Sequence, residues 1–513
     1  MTMSYTNRTF STSWRWTAVL CLIVVIKQAA RVASASEEAA VLEAHLSQHS
    51  VAGTITFTQL RPGEVVQIKA ELTVAREYKG EYSWGIYEFP IDYTQEDFCH
   101  SRLLGRKPIL NFDTSLNKLP LDEAEASEDP LISVSLEYTS SELNLTGRGA
   151  VWGRGLVLEG PSRSRTCGSL MPASKSAKLR SAEARFTSPV AGSVWFSSYS
   201  NPNGNDTAAE TNIFTNLVHV TGDSKSSSHR WQLFITDVLD TDADIHGSGC
   251  DFLQILYDTE KKTGDGCSAE DPGKCRDGDL AGKFGKVKVS RRESMFTKAY
   301  FHDTNLALPE LEGTARSMFV VLYEAGTDKD SFYSCAKVRE VKTKVASAAF
   351  GHDSVTGDVT FEQVSPFFPT QSSVRLRNLQ NQAGSYHVHE NPMVLGKRDN
   401  EDNPCMRTGG HFNPFGIDPT IAHNSGSSMD KYEVGDLSGK YGKLTDLNEF
   451  ESEVVDPMIT LFGKNSVVGR VIVIHNSPRP TRWTCANIKL QGRPQVTAIA
   501  TFTYPVAGRI IFR

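Results

Sequence analysis

The chain has 513 residues, of which 22% are charged and 39% hydrophobic, and a formal net charge of −6. That length is too great for one ordinary domain and suggests about three, in a composition normal for globular protein. No long Lys/Arg run is present, so nothing in the charge points to a nucleic-acid partner.

The first segment reads as a targeting signal. Arg8 and Arg15 precede the apolar run TAVLCLIVVI at 17–26, and Ala33 and Ala35 fit an A-x-A cleavage pattern before Ser36. This predicts a secretory signal peptide over 1–35. The run is about half the roughly 20 residues a spanning helix needs, so no membrane span is expected once the signal is removed. Asn144 and Asn205 head N-x-S/T sequons, which fit a secreted glycoprotein.

From residue 51 the chain repeats itself. V-[AT]-G elements begin at 51, 190, 355 and 506, in SVAGTITFTQ, SPVAGSVWFS, SVTGDVTFEQ and YPVAGRIIFR. GDLAGKFGK at 278–286 recurs as GDLSGKYGK at 435–443. We read three repeats, 36–178, 179–347 and 348–498, with 499–513 as the first strand of an incomplete fourth. Runs of period 2 such as TITFTQ, VRLRNL and VVGRVIVIH, bounded by Gly, Pro, Asn and Asp, predict an all-β chain of tandem sandwich or barrel domains.

Cys21 lies in the signal, which leaves eight cysteines. They divide by repeat: Cys99 and Cys167, then Cys250 and Cys335, then Cys405 and Cys485. One long-range bridge per repeat is the natural pairing in a secreted chain, with Cys267–Cys275 as a local bridge in repeat two. The alternative is that some stay free or bind metal.

Repeat three concentrates the histidines. Of 13 in the chain, His387, His389, His411, His423 and His475 all fall between 387 and 475. In a strand, residues two apart share a face, so H-x-H aims two imidazoles together. Neutral imidazole binds copper and zinc well, and a carboxylate such as Asp436 completes a borderline site. H-x-H alone is ordinary on a protein surface; a set gathered around strand ends within one repeat argues for a metal centre.

Six stretches carry a resemblance: GDVTFEQ, YHVHENP, CMRTGGHFNPF, VGDLSGKYG, VVGRVIVIH and RWTCANI, in order across about 354–490. In them repeat three resembles the copper-zinc superoxide dismutase family, whose fold is a Greek-key β-sandwich. The resemblance implies copper held by His387, His389, His411 and His475, and zinc held by His411, His423 and Asp436. It implies catalytic roles for His411, the bridging imidazole, and for Arg482, which would attract and orient superoxide. It also implies the Cys405–Cys485 bridge.

Two positions depart from the family. Glu433 stands where the family has a third zinc histidine; glutamate can also ligate zinc. NSPRP after His475 lacks the carboxylate that links the two metal sites. In repeat one Gly85–Glu88 replace HVHE, with Glu159 at the His475 position and Ser164 at the Arg482 position, flanked by Arg163 and Arg165. In repeat two Tyr323 and Phe332 take those places, and His219, His229, His246 and His302 match no ligand position, which makes them surface or locally bonded residues. The expectation is a secreted, copper-dependent superoxide dismutase working through repeat three. The alternative is a non-catalytic extracellular copper-binding or interaction scaffold. The family also suggests a homodimer, unless the repeats pack on one another within the chain.

Overall fold

The computed structural model describes residues 39–105, 108–109, 118–120, 130–173, 178–200, 210–221, 227–237, 250–291, 297–311, 316–326, 331–351, 355–393, 403–421, 423, 427–492, 498–503 and 505–512. The signal segment, Asn205 and His246 lie outside these residues.

Strands form where apolar and polar residues alternate. In Val66–Ala75 every second side chain is buried over the first seven residues, as a sheet with one wet face requires. In the first unit Ala40–Gln48, Val51–Gln59, Val66–Ala75 and Leu131–Ser140 build one antiparallel sheet. Glu81–Tyr87, Gly155–Glu159 and Arg165–Ser169 build the facing one. Val66–Ala75 takes Leu131–Ser140 as its neighbour rather than the next strand in the chain, a Greek-key crossover. The core fills from both sheets, with Ile55, Phe57, Trp84 and Leu156 buried together.

The third unit repeats this plan. Lys344–Phe350, Thr356–Gln363, Thr370–Arg377 and Glu449–Asp456 face Ala383–His389, Val471–Asn476 and Arg482–Asn487. In the second unit Lys178–Phe186 pairs with Phe332–Val341, joining both halves into one eight-stranded sheet. A small device recurs with the VAG strand. Gln59 and Gln363 end it, and their Oε1 atoms accept from the distant amides of Leu145 (2.9 Å) and Leu461 (2.7 Å).

The units pack on one another. Phe367 of the third unit stands edge-on to Trp195 and Phe214 of the second, at 5.1 and 5.6 Å between ring centroids. Its carbonyl accepts from Ser169 Oγ of the first unit at 3.0 Å. The Trp152 carbonyl of the first unit accepts from Asn212 and Tyr300 of the second. At the C-terminal end Ala498–Phe502 pairs with Gly508–Phe512. That is a hairpin of two strands, where the sequence had suggested one, because the residues before the VAG element also alternate and find a partner. No helix among the described residues is long and apolar enough to cross a membrane.

Candidate metal centre

His387 and His389 lie on the strand Ala383–His389, opposite Val473 and Val471. Two other segments are stitched to its free edge. Phe412 N–H donates to the Val388 carbonyl and Val388 N–H to the Gly435 carbonyl, each at 2.8 Å. This sets His411 beside His389 and Asp436 beside His387. Gly435 is needed at this seam, because a Cβ there would lie 2.5 Å from the Val388 carbonyl oxygen. His475, at the end of Val471–Asn476, is the cross-strand partner of Arg482 at a register shift.

The result is a cluster of four imidazoles. One ring nitrogen from each of His387, His389, His411 and His475 lies within 4.8 Å of the others. The His389 and His475 Nε2 atoms are 3.3 Å apart, and the His387 and His411 rings stack at 3.8 Å. Backbone carbonyls orient two rings: His389 Nδ1 lies 3.1 Å from the Gly409 carbonyl and His475 Nδ1 3.2 Å from that of Pro480. A donated Nδ1–H at each leaves Nε2 as the free lone pair facing the cluster.

His387 is turned the other way. Its Nε2 lies 3.5 Å from Asp436 Oδ1, and its buried Nδ1 has no hydrogen-bond partner. Burial, and then the neighbouring imidazoles, hold the His387 ring down to about 2. Burial foremost lowers His389 to about 4 and also lowers His475. These rings are neutral at ordinary pH, the form that binds metal. A buried acceptor nitrogen without a donor is costly, and a cation among the four imidazoles would satisfy that of His387, so the residues fit copper.

The residues predicted for zinc behave differently. His411 Nδ1 is 2.7 Å from Glu433 Oε2. Asp436 caps a short helix, accepting from Gly439 N–H at 2.8 Å, and His423 packs against the Tyr432 ring at 5.1 Å. Among the described residues these do not gather with His411 into a second metal-binding group.

Arg482 donates to the carbonyls of Cys405 (2.9 Å), Met406 (2.7 Å) and Gly409. The Cys405–Cys485 disulfide anchors that loop. Cys99–Cys167, Cys250–Cys335 and Cys267–Cys275 are also bonded. The Asn144 amide reaches the Arg148 carbonyl at 3.5 Å.

In the other units the equivalent space is filled. Register places Gln232 and Phe234 where the third unit has His387 and His389. Tyr323 OH donates to Gln232 Oε1 at 2.6 Å, and Gln232 Nε2 donates to Asp279 at 3.1 Å, so a hydrogen-bond chain closes the place of a metal. In the first unit Gly85 lies under Pro108, whose Cβ would be 2.7 Å from any Cβ there. There the register partner of Glu159 is Arg165 rather than Ser164, because this strand pair lacks the shift found at His475. Arg165 stacks over Tyr87 at 4.9 Å. His219, His229 and His302 are locally bonded, the second of the two states expected of them. The first two are almost fully buried and share Ser227 Oγ, and the third bonds Asn212.

Sequence reasoning missed the carbonyls of Gly409 and Pro480, which carry no side-chain signal. It also missed a buried ion pair behind the centre. Lys440 donates to the Val434 carbonyl (2.8 Å) and to Asp456, as Lys283 does to the carbonyl of Asp277 and to Asp303. The recurrence of lysine within GDLSGKYGK and GDLAGKFGK was the available clue.

Residues 355–486 match the copper/zinc superoxide dismutase (SODC) family. Cell surface superoxide dismutase [Cu-Zn] 4 of Candida albicans is 37% identical over 132 residues, 25% of this chain and 51% of that protein. Superoxide dismutase [Cu-Zn] 5 of Dictyostelium discoideum is 31% identical over 126 residues, 24% of this chain and 72% of that protein. Superoxide dismutase [Cu-Zn] of Yarrowia lipolytica is 34% identical over 133 residues, 26% of this chain and 77% of that protein. The chain thus spans about half the length of the Candida relative. Among solved structures, Candida albicans superoxide dismutase 5 in its Cu(II) form is 28% identical and covers 30% of this chain and 97% of that one, with a TM-score of 0.25. Through its third unit, the chain belongs to the copper/zinc superoxide dismutase family, whose metals are copper and zinc.

Proposed function

We propose that the protein is a secreted superoxide dismutase in which the third unit alone holds copper, at His387, His389, His411 and His475. The observation that carries this reading is the unpartnered, buried Nδ1 of His387 within the four-imidazole cluster. Copper bound there supplies a one-electron couple, so that one superoxide is oxidised to oxygen and a second is reduced and takes two protons to become hydrogen peroxide.

The chain's own residues do the rest. Arg482 adds a fixed positive charge beside the cluster, held by three carbonyls, and a cationic cleft steers small anions inward. His411 is the proton carrier. Its side chain is 33% exposed against 10% for His387, so water reaches it. With Nδ1–H donated to Glu433, Nε2 carries the ring's one lone pair: it would hold copper and, only when released from it, would accept a proton and pass it to the reduced product. Glu433 thereby holds the far side of the ring, where zinc would also bind, and no step here runs through that metal.

Four disulfides suit an oxidising compartment. The filled sites of the first two units favour a second reading for that part of the chain, as support or interaction surface.

The test is copper per chain and superoxide consumption for the mature protein beside His475→Ala. About one copper per chain, with activity lost in the variant, is expected from the single site. Copper without turnover would leave the scaffold reading. A chain that takes up no copper would overturn the assignment.

A further inference from the structure

We propose that the first unit's hairpin turn is a positioning element for the metal centre of the third unit, acting through the loop that carries Glu433. The inference rests on the copper reading above.

The turn joins Ala40–Gln48 to Val51–Gln59 through only His49 and Ser50. Both have positive φ, 48° and 64°. Two-residue hairpins of this kind favour Asn-Gly, and His-Ser pays strain there. Such strain persists where surrounding contacts over-determine it, and here the contacts come from the third unit. His49 N–H donates to Asp430 Oδ2 and Ser50 N–H to Ser428 Oγ, each at 2.9 Å. In return Ser47 Oγ accepts from Met429 N–H at 2.9 Å. Ser428 Oγ donates onward to Asp430 at 2.7 Å, and Lys431 lies over the Tyr78 ring at 5.5 Å. Ser47, Ser50 and Ser428 are all buried at this junction.

The loop gripped in this way is short and leads straight to the centre. Met429–Lys431 form a single 3-10 turn, and Glu433 follows two residues on. Glu433 is 8% exposed and holds His411 Nδ1 at 2.7 Å. A shift of the turn by about 1 Å would pull that contact out of hydrogen-bond range. The corresponding connections of the other units are longer, three residues between Phe186 and Val190 and five between Phe350 and Thr356. The first unit, in which no metal-binding cluster is found among the described residues, therefore holds in place the carboxylate that orients the partly exposed imidazole of the cluster.

The experiment uses the full mature chain and five variants: Ser47→Ala, Ser47→Thr, Asp430→Ala, His475→Ala to test the copper site itself and, as control, Ser133→Ala on the exposed face of Leu131–Ser140. Amide exchange across 427–436 is read on metal-free protein, and the Cu(II) electron paramagnetic resonance spectrum and the copper dissociation rate on loaded protein. Ser47→Ala and Asp430→Ala are expected to speed exchange and copper loss about fivefold, the equivalent of one net hydrogen bond, and to alter the Cu(II) spectrum. Ser47→Thr, which keeps the hydroxyl, should restore all three, and Ser133→Ala should change none. If the wild-type chain binds copper yet Ser47→Ala and Asp430→Ala behave as Ser133→Ala does, the positioning role is wrong. Faster exchange with an unaltered Cu(II) spectrum would reduce the contact to ordinary packing and also overturn it. If the wild-type spectrum is indifferent to His475→Ala, the copper reading itself has failed, and the exchange data alone still report the grip on the loop.

Discussion

Lys440→Met tests how the metal-bearing loop is tied to the core. Both partners of the Lys440–Asp456 pair have fully buried side chains. Methionine keeps the stem of the lysine but leaves the Asp456 carboxylate without its counter-charge. Breaking a buried pair on one side costs about 3–5 kcal/mol. Three donors remain on Asp456, namely Tyr441 OH (2.7 Å), Met458 N–H (2.7 Å) and Ile459 N–H (3.2 Å), so the lower end, about 3 kcal/mol, applies. At about 2–4 °C per kcal/mol for a unit of this size, the unfolding midpoint of the third unit should fall by about 6–12 °C. Calorimetry on the full chain reads this, with copper content measured alongside. Asp456→Asn added to Lys440→Met removes the stranded charge and should recover part of the loss, since the two sites are coupled. Lys283→Met breaks the matching pair with Asp303 and should destabilise the second unit while copper content holds. A Lys440→Met protein within about 0.5 kcal/mol of wild type, the range of an ordinary surface change, would refute the reasoning.

Two more outcomes follow from the geometry. His387 and His389 are lowered to about 2 and about 4, and His475 is lowered too. Between about pH 6.5 and 4 the unfolded chain therefore takes up protons that the folded one refuses. Stability of the metal-free protein should be full above about pH 6.5 and fall as pH drops toward 4, and His389→Gln should flatten the midpoint-versus-pH curve; a wild-type curve no steeper than that of the variant would contradict the burial argument. Phe367→Ala removes a ring wedged between Trp195 and Phe214, a truncation that costs about 3–5 kcal/mol in a packed setting. Limited proteolysis between the units should then quicken, and an unchanged cleavage rate would show that the junction does not couple them.

The parts of this protein legible in the sequence were those written in local patterns. Alternation in VQIKAELTVA sets a strand because the side-chain period of a strand is 2. H-x-H set two imidazoles on one face for the same reason, and the division of cysteines among repeats anticipated long-range bridges. Local pattern misled where register intervened. Alignment put Ser164 at the arginine position with Arg163 and Arg165 beside it, and pairing without the shift at His475 brings Arg165 opposite Glu159.

Only the tertiary structure decided what meets what. Asp436, which the family resemblance assigned to zinc, caps a helix and lies against His387. Glu433 reaches His411, and His423 does not join them. The first unit's turn meets a loop more than 370 residues away. Sequence fixes the period and chemistry of each segment through forces acting over a few residues. The partner of a buried nitrogen or a strained turn depends on the packing of whole sheets, and no short stretch of the chain encodes that alone.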